Sequence, residues 1–178
     1  MSILKVARLG HPVIRQLAQP LLPEEIHTEE IQTFILDMID TMREYDGVGL
    51  AAPQVHVSKQ IAVIEVNHNP RYPDMPQIPL TVLINPFLKE KSEATEEGWE
   101  GCLSIPDLRG VVPRHESLVC EALDQNGKPI TISTKGFFAR VIQHEFDHLQ
   151  GHVYLDKMPH LTTLTYLNEF SKYWVSET

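Results

Sequence analysis

An α+β fold is the class this sequence predicts, with antiparallel strands packed around a central helix and further helices near the N- and C-termini. Three observations predict it. Strand-like apolar runs cluster in the middle of the chain, helical spacings lie before and after them, and no alternating βαβ rhythm links the strands. The length of 178 residues suits one domain, and no repeat, low-complexity tract or flexible linker divides it, so residues 1–178 are read as a single domain.

Taking the elements in order, Thr28 offers an N-cap and Glu29 and Glu30 place acids in a first turn. Ile31, Ile35, Met38 and Met42 then recur at helical spacing, predicting a helix over 29–44. Asp46-Gly47-Val48-Gly49 ends it. The runs Ile61 to Val66 and Leu80 to Leu88 read as strands, and the stretch from Asn67 to Pro79, with four prolines, reads as an extended surface loop. Ser117 to Leu123 and Ile130 to Thr134 flank Asp124-Gln125-Asn126-Gly127-Lys128-Pro129 and predict a β-hairpin. Phe137 to Gln150 lacks Gly and Pro and is bracketed by Gly136 and Gly151, which predicts a second helix stopped at Gly151. Leu161, Leu164, Leu167 and Trp174 continue a helical period and predict a C-terminal amphipathic helix closing the core.

Composition narrows the function. A net charge of −9 argues against a broad nucleic-acid or anionic-membrane surface. No apolar run is long enough to span a bilayer, and MSILKVARLG lacks the features of a signal peptide, so a cytoplasmic location is expected. Two cysteines are too few for a disulfide framework, and a reducing compartment keeps both as thiols. Cys120 shares a strand face with Leu118 and Ala122 and reads as a small core residue.

Within the Phe137 helix stands His144-Glu145-Phe146-Asp147-His148. Residues four apart share a helical face, roughly 5 to 6 Å between Cβ atoms, so two imidazoles can reach one metal ion. Glu145 beside them is placed to take a proton from a water that the metal activates. With this composition the pattern arises by chance roughly 0.04 times per chain. Phe137 and Val141 extend the same face as apolar residues, and imidazoles on an apolar face need partners. The bland alternative is a pair of solvated histidines.

A catalytic site of this kind takes three protein ligands. The extension that ends in a third histidine fails, because Tyr154 occupies that position. Two candidates remain: Glu169, beyond the helix, and Cys102 in Glu100-Gly101-Cys102-Leu103-Ser104-Ile105-Pro106, which reads as an irregular loop. His11, His27, His56, His68, His115, His152 and His160 show no ligand spacing. Glu169 as third ligand would give a zinc endopeptidase, and a site closed by four protein ligands would give a non-catalytic binding module.

Three stretches together resemble the signature motifs of peptide deformylases, in order and spacing from about Val6 to Met158. They are Gly47-Val48-Gly49-Leu50-Ala51-Ala52-Pro53-Gln54, Glu100-Gly101-Cys102-Leu103-Ser104, and Gln143-His144-Glu145-Phe146-Asp147-His148-Leu149-Gln150-Gly151. The resemblance implies removal of the formyl group from N-terminal N-formylmethionine of nascent polypeptides. It implies Cys102, His144 and His148 as metal ligands and Glu145 as general base and acid. Gln54 and the N–H of Leu103 take the place of oxyanion donors. The implied metal is Fe2+, with Zn2+, Ni2+ or Co2+ able to occupy the site. An oxidisable thiolate beside ferrous iron suits a reducing cytoplasm.

For substrate binding the resemblance implies Gly47, Val48 and Gly49 along the substrate backbone, and Phe137, Arg140 and Val141 near the first side chain. Glu100 and Arg109 are expected as an acidic and basic pair near the entrance. Arg140 departs from the aliphatic residue of many bacterial relatives and resembles organellar ones. Its expected roles are contact with a polar substrate element, or a snorkelling side chain whose head reaches water. In some relatives a C-terminal helix docks on the ribosome. Here Lys157 and Lys172 are the basic residues of that region, so a transient ribosome contact stays open while core closure is the simpler expectation.

Overall fold

A computed structural model of the chain describes residues 2–67 and 75–175. In chain order its helices and strands are α1 (Pro23–Ile26), α2 (Glu29–Glu44), β1 (Gly49–Ala51), β2 (Ile61–Val66), β3 (Ile78–Lys91), β4 (Thr95–Cys102), β5 (Ile105–His115), β6 (Ser117–Leu123), β7 (Pro129–Lys135), α3 (Gly136–Leu149), β8 (Thr165–Tyr166) and α4 (Leu167–Tyr173). One antiparallel sheet has the order β1-β2-β3-β6-β7, and a smaller one has β4-β5-β8.

Helix α2 begins where the sequence places it, because Thr28 Oγ1 accepts a hydrogen bond from the Ile31 N–H and satisfies a donor that the first turn leaves open. Its Ile35, Met38 and Met42 pack on Leu50, Ile61, Val63 and Ile84 of the larger sheet. Ala139, Ile142 and Leu149 of α3 cover the opposite face through Ala62, Ile64, Leu83, Leu118 and Cys120. Alternate residues of β2 therefore face two different helices, so its apolar run shows no polar alternation. Each such side chain contributes about 1.5–3 kcal/mol of burial. Cys120 sits in this core as expected.

The hairpin β6–β7 pairs Ser117 with Lys135 and Leu123 with Pro129. Asp124 Oδ1 accepts from the N–H groups of Asn126 and Lys128 and holds the connection closed. Helix α3 stops at Gly151, whose φ of 76° a side chain would resist. A Cβ there would also lie 2.7 Å from the Arg15 carbonyl oxygen.

Three expectations change. The loop expected around Cys102 is the tight end of the β4–β5 hairpin, with Cys102 paired to Ile105. Glu96, Glu97, Gly98 and Gly101 hide this strand, since its backbone pairing is not echoed by apolar alternation. The strand expected from Leu80 starts at Ile78 and runs to Lys91 through an irregularity at Asn85, which has a φ of 50°. Of the proline-rich stretch expected as a loop, residues 68–74 lie outside the described residues.

The third change concerns the C-terminus. Leu161–Thr163 form a 3-10 turn, Thr165–Tyr166 pair with Leu108–Arg109 of β5, and α4 starts only at Leu167. Leu161 is exposed and no residue of α4 is fully buried. The pairing of two β-branched or aromatic residues with β5 breaks the helical period that the leucines suggest. No helix among the described residues is long and apolar enough to cross a membrane.

Candidate active site

Helix α3 brings His144 and His148 one turn apart, with ring centroids separated by 5.1 Å. The tight end of the β4–β5 hairpin carries Cys102 to the same point, and its Sγ lies 3.2 Å from Nε2 of His148. One donor atom from each of these three residues falls within 4.8 Å of the others. Among the described residues this is the one group of three or more His, Cys, Asp or Glu donors so gathered. Glu169 is exposed on α4 and lies outside this group, and the other described histidines also lie outside it; His68 falls outside the described residues. Burial raises the pKa of the Cys102 thiol, but His148 and His144 overcome this and hold it well below the usual thiol value. A thiolate with two imidazoles fits a borderline divalent cation, and leaves room for a further ligand.

Glu145 is buried beside this group, and burial pushes its pKa up to about 7 against the opposing effect of the two histidines. Its Oε2 has no hydrogen-bond partner among the described residues. Gly49 of β1 explains how the carboxylate fits: a Cβ at that position would lie 2.2 Å from Glu145 Oε1. A glycine in this edge strand is therefore a requirement of the site, and not simply turn punctuation.

Gln54 lies in the short 3-10 helix that follows β1 and is 1% exposed. Its Oε1 accepts from the Ala51 N–H at 2.8 Å, which fixes the amide orientation. Nε2 therefore points at the group of donors, 3.4 Å from Cys102 Sγ and 3.3 Å from Ser104 Oγ. Leu103 lines the same cleft.

Glu100 sits behind this arrangement and is fully engaged. One carboxylate oxygen accepts from Arg114 Nε at 2.8 Å and Arg140 Nη1 at 3.0 Å. The other lies 2.8 Å from His144 Nδ1 and 3.0 Å from Arg114 Nη2. Burial opposes its ionisation, yet hydrogen bonds from Arg114 and His144 hold it well below the ordinary carboxylate range. Arg114 also donates to Asp147 Oδ2 at 2.6 Å.

This overturns two expectations. The basic partner of Glu100 is Arg114 instead of Arg109, because the hairpin register sets Glu100 opposite Gly110 and turns Arg109 over Gly101. Arg140 is 9% exposed, so its head does not snorkel to water. Its guanidinium donates to the carbonyls of Glu96 and Val112 at 2.6 and 2.8 Å as well as to Glu100. Gly98 makes space for it, since a Cβ there would lie 2.8 Å from the guanidinium carbon. Arg140 still lines the cleft, but its charge is committed within the protein.

The cleft has a volume of about 490 Å³. Gly47, Val48 and Gly49 form one side, Trp99 to Leu103 another, and Phe137, Arg140, Val141, His144 and Glu145 the third. β1 and β4 are the outer strands of their respective sheets, so two strand edges flank it. The sequence did not single out Ser104, Arg114, Asp147 or Trp99. Asp147 lies within the helix motif and was open to notice, whereas Arg114 carries no local signal.

The chain matches the family model for polypeptide deformylase over residues 3–163. It is 47% identical over 149 residues to peptide deformylase 1 of Nitrosomonas europaea, covering 84% of each chain. A Met-Ala-Ser-bound class I type b peptide deformylase from Acinetobacter baumannii superposes with a TM-score of 0.86 at 38% identity, over 88% of this chain and 99% of that one. A deformylase from Synechococcus elongatus in complex with actinonin gives a TM-score of 0.80 at 36% identity, over 98% and 87%. Fold, cleft and relatives define the class as an α+β hydrolase. The chain belongs to the polypeptide deformylase family.

Proposed function

We propose that this protein removes the formyl group from N-formylmethionine at the start of newly made polypeptides, releasing formate. The observation that carries the reading is the meeting of Cys102, His144 and His148 with Glu145 and the fixed amide of Gln54 in one cleft. Cys102, His144 and His148 would hold one divalent ion, proposed to be Fe2+, with Zn2+, Ni2+ and Co2+ as alternatives. Such an ion supplies Lewis acidity, lowering the pKa of water and polarising the formyl carbonyl.

Glu145 takes the proton from the attacking water and delivers it to the amine as the formyl carbon–nitrogen bond breaks. Burial raises the pKa of Glu145 above the ordinary carboxylate value, toward the range in which one group can both take and give a proton. Charge gathers on the former carbonyl oxygen, and Gln54 Nε2 and the Leu103 N–H donate to it without adding an ionisable group. The edges of β1 and β4 give the peptide backbone two strands to pair with, along Gly47 to Gly49 and along Glu100 and Gly101. Phe137, Val141 and Arg140 face the first side chain, and Arg109 lies toward the entrance. The oxidisable thiolate suits an enzyme working in a reducing cytoplasm.

The test is anaerobic purification with metal analysis, followed by mass spectrometry of formyl-Met-Ala-Ser products. Formate and free Met-Ala-Ser are expected, with no internal cleavage of unblocked peptides. Glu145→Ala should keep the metal and lose activity by about 10²–10⁴-fold. Stoichiometric metal with near-normal turnover in that variant would refute the role of Glu145.

A further inference from the structure

A different face of α3 lines a second pocket, of about 820 Å³. Gln143, Phe146, Asp147 and Gln150 recur there at helical spacing, and the pocket shares no lining residue with the catalytic cleft. The ends of β3 and β5 supply Lys91 and Arg114, and the 3-10 turn Tyr154–Lys157 supplies Lys157. These three cations, with His115 and His152 beside them, face a single lining carboxylate, Asp147, in a chain whose net charge is −9.

The positive groups are not all matched from within. Lys91 has no ion-pair partner among the described residues, and Lys157 Nζ lies 3.6 Å from Asp147 Oδ1, beyond hydrogen-bond reach. Arg114 is 6% exposed and gives three of its five N–H groups to Glu100 and Asp147. Leu88, Pro113 and Phe146 add apolar surface to the same pocket.

We propose that this pocket binds a nucleoside monophosphate, its phosphate held by Lys91 and Lys157 and its base lying against Leu88, Pro113 and Phe146. A phosphate dianion gives both ammonium groups charge-assisted partners that the protein does not supply. The apolar wall argues for a ring attached to that phosphate, and the Gln150 amide offers a donor and an acceptor to the ring edge. The volume falls within the range of about 300–1,000 Å³ usual for small-molecule sites. The acidic remainder of the chain disfavours a long polyanion, which makes a free nucleotide the occupant. No residue of this pocket touches the substrate in the proposed deformylation, so failure of either reading leaves the other standing.

The test is calorimetric titration of the full-length, metal-loaded protein with AMP, ribose 5-phosphate, inorganic phosphate and adenosine. AMP should bind saturably, one per chain, with the other three weaker by roughly tenfold or more. Lys91→Ala and Lys157→Ala should each weaken AMP by about tenfold, while Lys172→Ala on α4 should not change it. Both pocket variants remove surface charges, so formate release without AMP should stay within about twofold of wild type and show that they fold. Saturating Met-Ala-Ser should leave AMP affinity unchanged, because that peptide occupies the other cleft. AMP binding that Met-Ala-Ser abolishes, or that both lysine variants retain in full, would overturn the proposal. Inorganic phosphate as tight as AMP would reduce the pocket to a simple anion patch and overturn it, as would an absence of AMP binding. An oligoadenylate binding more than about tenfold tighter than AMP would assign the lysines to an RNA chain and overturn it as well.

Discussion

Glu100 and His144, separated by 44 residues in the chain, meet at 2.8 Å, with the ionised carboxylate accepting from imidazole Nδ1. That bond settles the tautomer and turns Nε2 of His144 toward Cys102 and His148. Two buried arginines, Arg114 and Arg140, hold the same carboxylate from behind. An outer shell of this kind orients a metal ligand while touching neither metal nor substrate.

Glu100→Gln removes the charge that both arginines oppose. Breaking a buried pair on one side costs about 3–5 kcal/mol, because the remaining charge is left uncompensated. Loss of the carboxylate behind a ligating imidazole lowers metal affinity by about 10–100-fold. Thermal melting and chelator competition measure the two effects separately, and an unchanged metal affinity would contradict the orienting role.

Gly49→Ala places a methyl group where Glu145 Oε1 now sits, 2.2 Å from an ideal Cβ. The carboxylate must move by an ångström or more, enough to lower kcat by about 100-fold. The three donor residues are untouched, so metal content should remain stoichiometric. Wild-type kcat in this variant would show that the position of Glu145 is not limiting.

Cys102→Ala should lower metal occupancy and abolish formate release, whereas Glu169→Ala should leave both nearly intact, since Glu169 is exposed on α4. In cobalt-substituted protein a sulfur-to-metal charge-transfer band should be present in the wild type and in Glu169→Ala, and absent in Cys102→Ala. A band that survives loss of Cys102 would remove it from the ligand set.

The sequence by itself determined what depends on neighbours along the chain. The cap at Thr28 and the spacing of Ile35, Met38 and Met42 fix α2 at Glu29–Glu44, and the i, i+4 step places His144 and His148 on one face, because helical hydrogen bonds close within a segment. The tertiary structure decided what depends on distant neighbours. It drew Cys102 onto a strand that shows no apolar alternation, gave Glu100 to Arg114 and Arg140, and interrupted the C-terminal leucines by pairing Thr165–Tyr166 with β5. A charged group's partner and a polar strand's register carry no local period. They are set by which surfaces packing brings together, where an unpaired buried charge or backbone group is too costly to leave.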